Sequence, residues 1–307
     1  MSGFYPECLQ QKLLVPLMRK DNIGTGIALT VVSMFFIASM DATGKYLSQS
    51  FPIMQILAIR FTIFFAFALV MAARLRDRSV YKSRMTGFQI LRSLVLAVEV
   101  SVFIYAFSLM PLADAHSIAA VAPLIGTMLA GLFLGEAIGL RRWVSVAIGF
   151  IGALVIIRPG LGVMSMTALI PLGGAFLWAG YQVMSRRVAL GDRSETTALY
   201  TAFVGMVVFG LIAPFYWQSA TPAEWAILIL NGVVGSIGHI ILLKALNAAP
   251  AASLQPFNYS LLLWAILIGF VVFSDLPDMM TFVGAGIVVF AGVLASDQGK
   301  KWLRRFR

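Results

Sequence analysis

The sequence predicts an all-α integral membrane protein, with ten transmembrane helices arranged as two inverted-topology five-helix repeats. Three observations carry that prediction. Ten apolar stretches of membrane-spanning length run almost end to end. Basic residues collect in alternate links between them. The two halves match one another at a constant offset of 139 residues.

The chain has 307 residues, of which 60% are hydrophobic and 12% charged. Soluble domains average about 25% charged residues, so there is too little polar surface here to wrap a water-soluble globule. A bilayer core of about 30 Å takes roughly 20 apolar residues per helix. Spans of that size cover, approximately, 23–47, 53–74, 87–110, 112–134 and 140–157. A second set covers 167–190, 195–217, 225–246, 252–273 and 280–296. The apolar runs are continuous and not alternating. Helices, which satisfy their own backbone groups inside lipid, therefore fit better than barrel strands. The organisation reads as a cytoplasmic tail (1–22), a first repeat (23–158), a second repeat (166–296) and a basic cytoplasmic tail (297–307). The apolar stretch at 12–18 is too short for a signal-peptide core, and the first span is longer than one.

The net charge is +10, and its placement matters more than its size. Lys12, Arg19 and Lys20 precede the first span, and Arg74, Arg76, Arg78, Lys82 and Arg84 follow the second. Arg141 and Arg142, then Arg186, Arg187 and Arg193, follow the fourth and sixth. Lys300, Lys301, Arg304, Arg305 and Arg307 close the chain, and Arg158 alone breaks the pattern. This asymmetry predicts both termini in the cytoplasm. Basic flanks suit anionic lipid headgroups, so the bilayer itself is an expected partner. Nucleic acid is not expected, because no basic patch is interleaved with aromatics on a folded domain. The single cysteine, Cys8, excludes an intrachain disulfide and any cysteine-based metal site.

The repeat rests on matched residues. Tyr105-Ala106-Phe107, Pro111, Ala113 and Leu134-Gly135-Glu136 correspond to Lys244-Ala245-Leu246, Pro250, Ala252 and Phe273-Ser274-Asp275. An odd number of spans per half turns the halves upside down relative to each other. Such inverted repeats place substrate sites near the midplane, at the repeat interface. Small residues at Gly131, Gly135, Gly149, Gly152, Gly284, Gly286 and Gly292 allow close helix packing, within one chain or across a dimer, so monomer and homodimer both stay open. No Walker pattern is present, which argues against an ATP-driven pump.

Intramembrane polar residues are functional candidates by default. Asp41 and Lys45 lie one turn apart on the first span and are placed to pair with each other. Arg60 lies two turns into the second span, either pairing with Asp41 or holding an anionic substrate group. Glu99 sits deep in the third, with no base at i±3 or i±4. A carboxyl in such a place can carry a coupling proton or face a cationic group. Asp114 and His116 open the fourth span, as solvated helix-start residues or as part of the same cavity. The second half offers neutral hydrogen-bonding groups: Tyr181, Gln182, Asn231, His239, Asn258 and Tyr259. Trp178 and Trp264 lie near mid-span, either as packing or as cavity wall. Two histidines on different spans lack zinc-ligand spacing, so no metal or cofactor is expected. Hydrolase and metalloprotease motifs are absent, so the chain does not read as an enzyme.

In their order and spacing, Met40-Asp41-Ala42 to Lys45, Gln55 to Arg60, Leu109-Met110-Pro111-Leu112-Ala113-Asp114-Ala115, Ala122-Pro123-Leu124 and Leu134-Gly135-Glu136 resemble the EamA-domain branch of the drug/metabolite transporter superfamily, in its ten-span type. Gly238-His239, Pro250-Ala251-Ala252, Pro256-Phe257-Asn258-Tyr259 and Asp275-Leu276-Pro277-Asp278 extend the resemblance over the second half. The resemblance implies alternating access and movement of small organic solutes without ATP. It also implies that Asp41, Lys45, Arg60, Asp114, Glu136, His239 and Asn258 belong to stretches generic to the branch. The chain is similar to the group containing S-adenosylmethionine uptake carriers.

The expected function is secondary transport of a small polar metabolite across the inner membrane. A zwitterion or organic cation, such as an amino acid or S-adenosylmethionine, fits best, with a coupling proton or exchange solute. A broad-specificity exporter and a non-transporting membrane scaffold are the alternatives.

Overall fold

The computed structural model describes residues 22–75, 77–134, 139–157, 164–188, 191–249 and 254–295. Among these residues the chain is helical, without strands. The first repeat holds α1 (Ile23–Leu47), α2 (Ile53–Arg74), α3 (Thr86–Leu109), α4 (Leu112–Ala119), α5 (Ala122–Leu134) and α6 (Leu140–Ile157). The second holds the short α7 (Met164–Thr167), α8 (Leu169–Val188), α9 (Ser194–Ile212), α10 (Pro222–Ala248), α11 (Ser260–Phe273) and α12 (Met279–Ala295). Five of them (α1, α2, α3, α9 and α10) are long and apolar enough to cross a membrane unaided. The protein is a multi-pass membrane protein of two inverted five-span repeats.

The packing obeys the repeat. With α1 equivalent to α8, α2 to α9, α3 to α10 and α6 to α12, every major contact has a mate. Helix α1 packs on α10 as α8 packs on α3, while α2 pairs with α9 and α6 with α12. Helix α1 also meets α11 as α8 meets α5, and α2 meets α10 as α9 meets α3. In lipid, helices associate through close packing and buried hydrogen bonds and not through a hydrophobic force. The α6–α12 crossing shows the first. A Cβ on Gly152 would stand 2.9 Å from the carbonyl oxygen of Gly284, and one on Gly284 would stand 2.7 Å from that of Gly152.

The fourth span is expected as one helix over 112–134 but is broken in two. Pro123 has no N–H, and its ring crowds the carbonyl of residue 119, where α4 ends. In the ninth span a 3₁₀ turn (Gln255–Tyr259) precedes α11 near the matching place. Adding the repeat offset to α5 lands on α11, so the two halves start this segment at the same place. Ser274 then ends α11 in a left-handed conformation (φ 57°), with the Ser274 N–H on Phe270 O and the Asp275 N–H on Gly269 O.

The same helix ends recur at each end of the bundle. One end, called the Lys45 end, gathers the C-termini of α1, α3 and α11 and the N-termini of α2, α4 and α10. The opposite end, called the Gln89 end, gathers the N-termini of α3 and α9 and the C-terminus of α8. There Asp192 accepts from the Ser83 hydroxyl, from the Arg84 N–H at 2.9 Å and from Gln89 at 2.9 Å.

Candidate functional site

Five candidate residues from five helices converge inside the first repeat and its contact with α10. Asp41 comes from α1, Arg60 from α2, Glu99 from α3, His116 from α4 and His239 from α10. An Arg60 Nη2 stands 3.9 Å from Asp41 Oδ1, and His116 Nε2 stands 3.3 Å from Asp41 Oδ2. Glu99 lies within electrostatic reach of both Asp41 and Arg60. His239 lies within the same reach of Arg60 and Asp41, its Nδ1 held 2.9 Å from the Gly235 carbonyl.

This cluster is buried and incompletely satisfied. Arg60 is 7% exposed and Glu99 6%. Arg60 Nε and Nη2 have no hydrogen-bond partner among the described residues. Two carboxyl groups, one guanidinium and two imidazoles share this buried centre. Phe64 on α2 and Phe107 on α3 wall it, their rings 5.4 Å from His239 and 5.2 Å from His116.

Lys45 does not belong to the cluster. The sequence places it to pair with Asp41 one turn back, but its Nζ reaches Asp275 Oδ2 at 2.7 Å and the Met110 carbonyl at 3.3 Å. Asp41 points instead toward α2 and α4. One turn of separation permits a pair, but both side chains find better partners on other helices. The Lys45–Asp275 pair borders an open depression of about 240 Å³, lined also by Phe107, Ser108 and Pro111. Phe107 is the residue between this depression and the His116–Asp41 contact.

The other candidates are distributed around this centre. Asp114 and His116 are buried (5% and 8% exposed), so the reading as solvated helix-start residues gives way to an interior one. Trp264 donates from Nε1 to the Val31 carbonyl at 3.1 Å and meets Phe35 edge-on, which fastens α11 to α1. Tyr259 packs against Gly292, with its hydroxyl buried and lacking a hydrogen bond among the described residues. Asn258 lies in the same 3₁₀ turn. Gln182 is exposed and does not join the cluster. Glu136, generic to the resemblance, lies outside the described residues. Among those described, no group of three or more His, Cys, Asp or Glu side chains is placed to hold a metal.

Trp178 and Tyr181 stack on each other at 5.3 Å, and Tyr181 lies under the guanidinium of Arg92, 4.8 Å away. Arg92 and Asp275 were not among the site candidates of the sequence, although Asp275 belongs to the matched repeat stretches. Asp275 was reachable through the repeat, since it stands where Glu136 stands in the first half. Arg92 was hidden in an apolar stretch, seven residues before Glu99 on α3.

Models of the EamA-like transporter family match residues 24–158 and 165–296. The chain belongs to the EamA-like transporter family. It is 27% identical over 274 residues to a riboflavin transporter of Vibrio cholerae, covering 88% of this chain and 92% of that one. It is also 27% identical over 281 residues to an S-adenosylmethionine uptake transporter of Rickettsia felis, covering 92% and 95%. A pseudopaline exporter of Pseudomonas aeruginosa is 26% identical over 287 residues, covering 92% and 99%. A solved crystal structure superposes with a TM-score of 0.63 at 18% identity, over 89% of this chain and 97% of that one, and shows the fold. This EamA-like protein is thus a drug/metabolite-type transporter of small metabolites and not an enzyme.

Proposed function

We propose that this transporter carries a zwitterionic or cationic small metabolite, such as an amino acid or S-adenosylmethionine, across the inner membrane by alternating access. The observation that carries the reading is the meeting of two carboxyl groups, Asp41 and Glu99, with one buried guanidinium, Arg60, in the central cluster. Asp41 and Glu99 share Arg60, with His116 beside Asp41, and a cationic group, or a coupling proton on Glu99, completes the site. Arg60 holds the field of the cavity and keeps an N–H face available for an anionic group. The uptake transporter of Rickettsia felis supports the substrate class.

The Lys45 end faces outside in this reading and the Gln89 end faces the cytoplasm, with both termini cytoplasmic. The basic residues before α1 and after the even-numbered spans support that orientation. The Lys45–Asp275 pair then closes the outer side, with Phe107 beneath it. A second reading, a broad-specificity exporter, is favoured by the match to the pseudopaline exporter. Both readings use the same cavity and differ in gradient and selectivity.

The test is ligand-induced thermal stabilisation of purified protein across amino acids, nucleosides, vitamins and quaternary amines. A ligand binding the folded state raises apparent stability with concentration. One chemical class of cationic or zwitterionic hits that Glu99→Gln abolishes supports the carrier. Hits scattered over unrelated apolar cations support the exporter. An unchanged response in correctly folded E99Q protein overturns the assignment of Glu99.

A further inference from the structure

Arg92 and Asn231 occupy equivalent positions of the two repeats, and they do equivalent work with unequal charge. Asn231 on α10 donates to the Met40 carbonyl at 2.7 Å and to Thr43 Oγ1 at 2.8 Å, fastening α10 to α1. Arg92 on α3 donates to Ser185 Oγ at 3.0 Å, fastening α3 to α8, the equivalent pair. It also donates to the Thr197 carbonyl at 3.2 Å and to the Thr201 hydroxyl on α9. A neutral amide therefore suffices to tie this helix crossing. The positive charge at Arg92 exceeds what the tie requires.

Among the described residues that charge is also unneutralised. Arg92 is 0% exposed, and among the described residues its partners are two hydroxyls and a carbonyl, with none for Nε. Among the described residues it forms no ion pair with a carboxylate. A guanidinium is the side chain suited to planar, bidentate recognition of a carboxylate. Seven residues on, close to two full turns, α3 presents Glu99 on the same face, about 10 Å further along the axis. One helix thus offers an unpaired cation and an acid in line. Tyr181, stacked on Trp178, forms a flat wall beside the cation.

We propose that Arg92 is the carboxylate-binding station of the substrate path. A zwitterion lies along α3, with its carboxylate on Arg92 and its cationic group toward Glu99. This rests on the carrier reading above and narrows it from any cation to a zwitterion. The hydrogen bonds to Ser185 and Thr201 hold the guanidinium until substrate arrives, and Thr201 is a positioning residue.

The experiment uses full-length protein in proteoliposomes and three pairs of probes: S-adenosylmethionine, L-tryptophan and L-arginine, each against its decarboxylated counterpart. Uptake or exchange is measured for wild type, R92Q, R92K and Thr201→Val, each checked for monodispersity. Wild type is expected to prefer at least one carboxylate-bearing probe over its amine by about tenfold or more. R92Q should bring that ratio close to one by lowering transport of the carboxylate-bearing probe. R92K should keep part of the preference, and T201V should lower it several-fold. Should R92Q not purify, T201V decides, because it keeps the charge and loses only its positioning. A preference that survives R92Q, or survives T201V unchanged where R92Q cannot be made, overturns the station. Amines transported as well as carboxylates by wild type also overturn it, while leaving the carrier reading in place. Transport of none of the six probes overturns both.

Discussion

Lys45 Nζ and Asp275 Oδ2 are 2.7 Å apart, although the residues are 230 positions apart in the chain. The contact joins the C-terminus of α1 in the first repeat to the C-terminus of α11 in the second. The two side chains are 11% and 30% exposed, so the pair is neither fully solvated nor deeply buried. Lys45 also lies over the Phe273 ring, 4.8 Å from its centre. K45M and D275N should each lower unfolding stability by about 1–2 kcal/mol, between surface and buried pairs. The double variant should lose less than the sum. Thermal denaturation in detergent, read as a double-mutant cycle, checks the coupling.

The central cluster should couple more strongly. R60Q leaves Asp41 and Glu99 without their cation in a buried site, with an expected loss of about 3–5 kcal/mol. D41N/R60Q should be more stable than R60Q alone, since one of the uncompensated charges is gone. Equal stability of the two variants, measured by thermal denaturation, would show that Asp41 and Arg60 do not interact.

Packing at the α6–α12 crossing gives a steric prediction. Gly152→Val forces a side chain against the Gly284 carbonyl and the Val288 side chain, and should destabilise by about 1–3 kcal/mol or more. Gly286 on the same α12 has open space where a Cβ would stand. Gly286→Ala should be neutral or gain up to about 1 kcal/mol through helix propensity. Parallel melting curves of the two variants separate crossing geometry from glycine content.

Ser274 holds a left-handed conformation that L-residues with a Cβ adopt at some strain. Ser274→Gly should keep the α11 cap and raise stability by a few tenths to about 1 kcal/mol. Since the cap orients Asp275, the Lys45–Asp275 coupling energy should stay unchanged in that background.

Asp192 provides a pH dependence at the Gln89 end. Burial pushes its carboxyl up, but hydrogen bonds from Ser83, the Arg84 N–H and Gln89, with the Arg84 charge, outweigh it and hold it below its ordinary value. A depressed acid stabilises fully above its unfolded value, near about 4, and loses that contribution as pH falls through the folded one. The melting temperature of wild type should therefore drop more steeply than that of Asp192→Asn between about pH 5 and pH 3. Parallel slopes would remove Asp192 from the account.

Span count, repeat and family were legible in the sequence, because each depends on signals that survive without knowing helix rotation. A run of about 20 apolar residues announces a span in any orientation about its axis. The offset relating Pro111 to Pro250 and Glu136 to Asp275 is likewise a property of order alone. Pro123, visible in the sequence, carried the reason for the broken fourth span, although the break itself needed the structure to be recognised.

Which polar groups meet was decided only by the tertiary structure. In water, a helix marks its buried side by an apolar stripe. Spans such as α1 and α2 are apolar on all sides, because lipid is as apolar as the protein interior. Nothing local told Lys45 to leave Asp41 for Asp275, or told Asp41 to meet His116 and Arg60. Nor could the chain alone show Arg92 enclosed by Ser185, Thr201 and Tyr181, since those residues come from α8 and α9, about 90–110 positions away. The sequence determined the helices and their inverted pairing; packing between the repeats determined how each helix turns, and with it the chemistry of the interior.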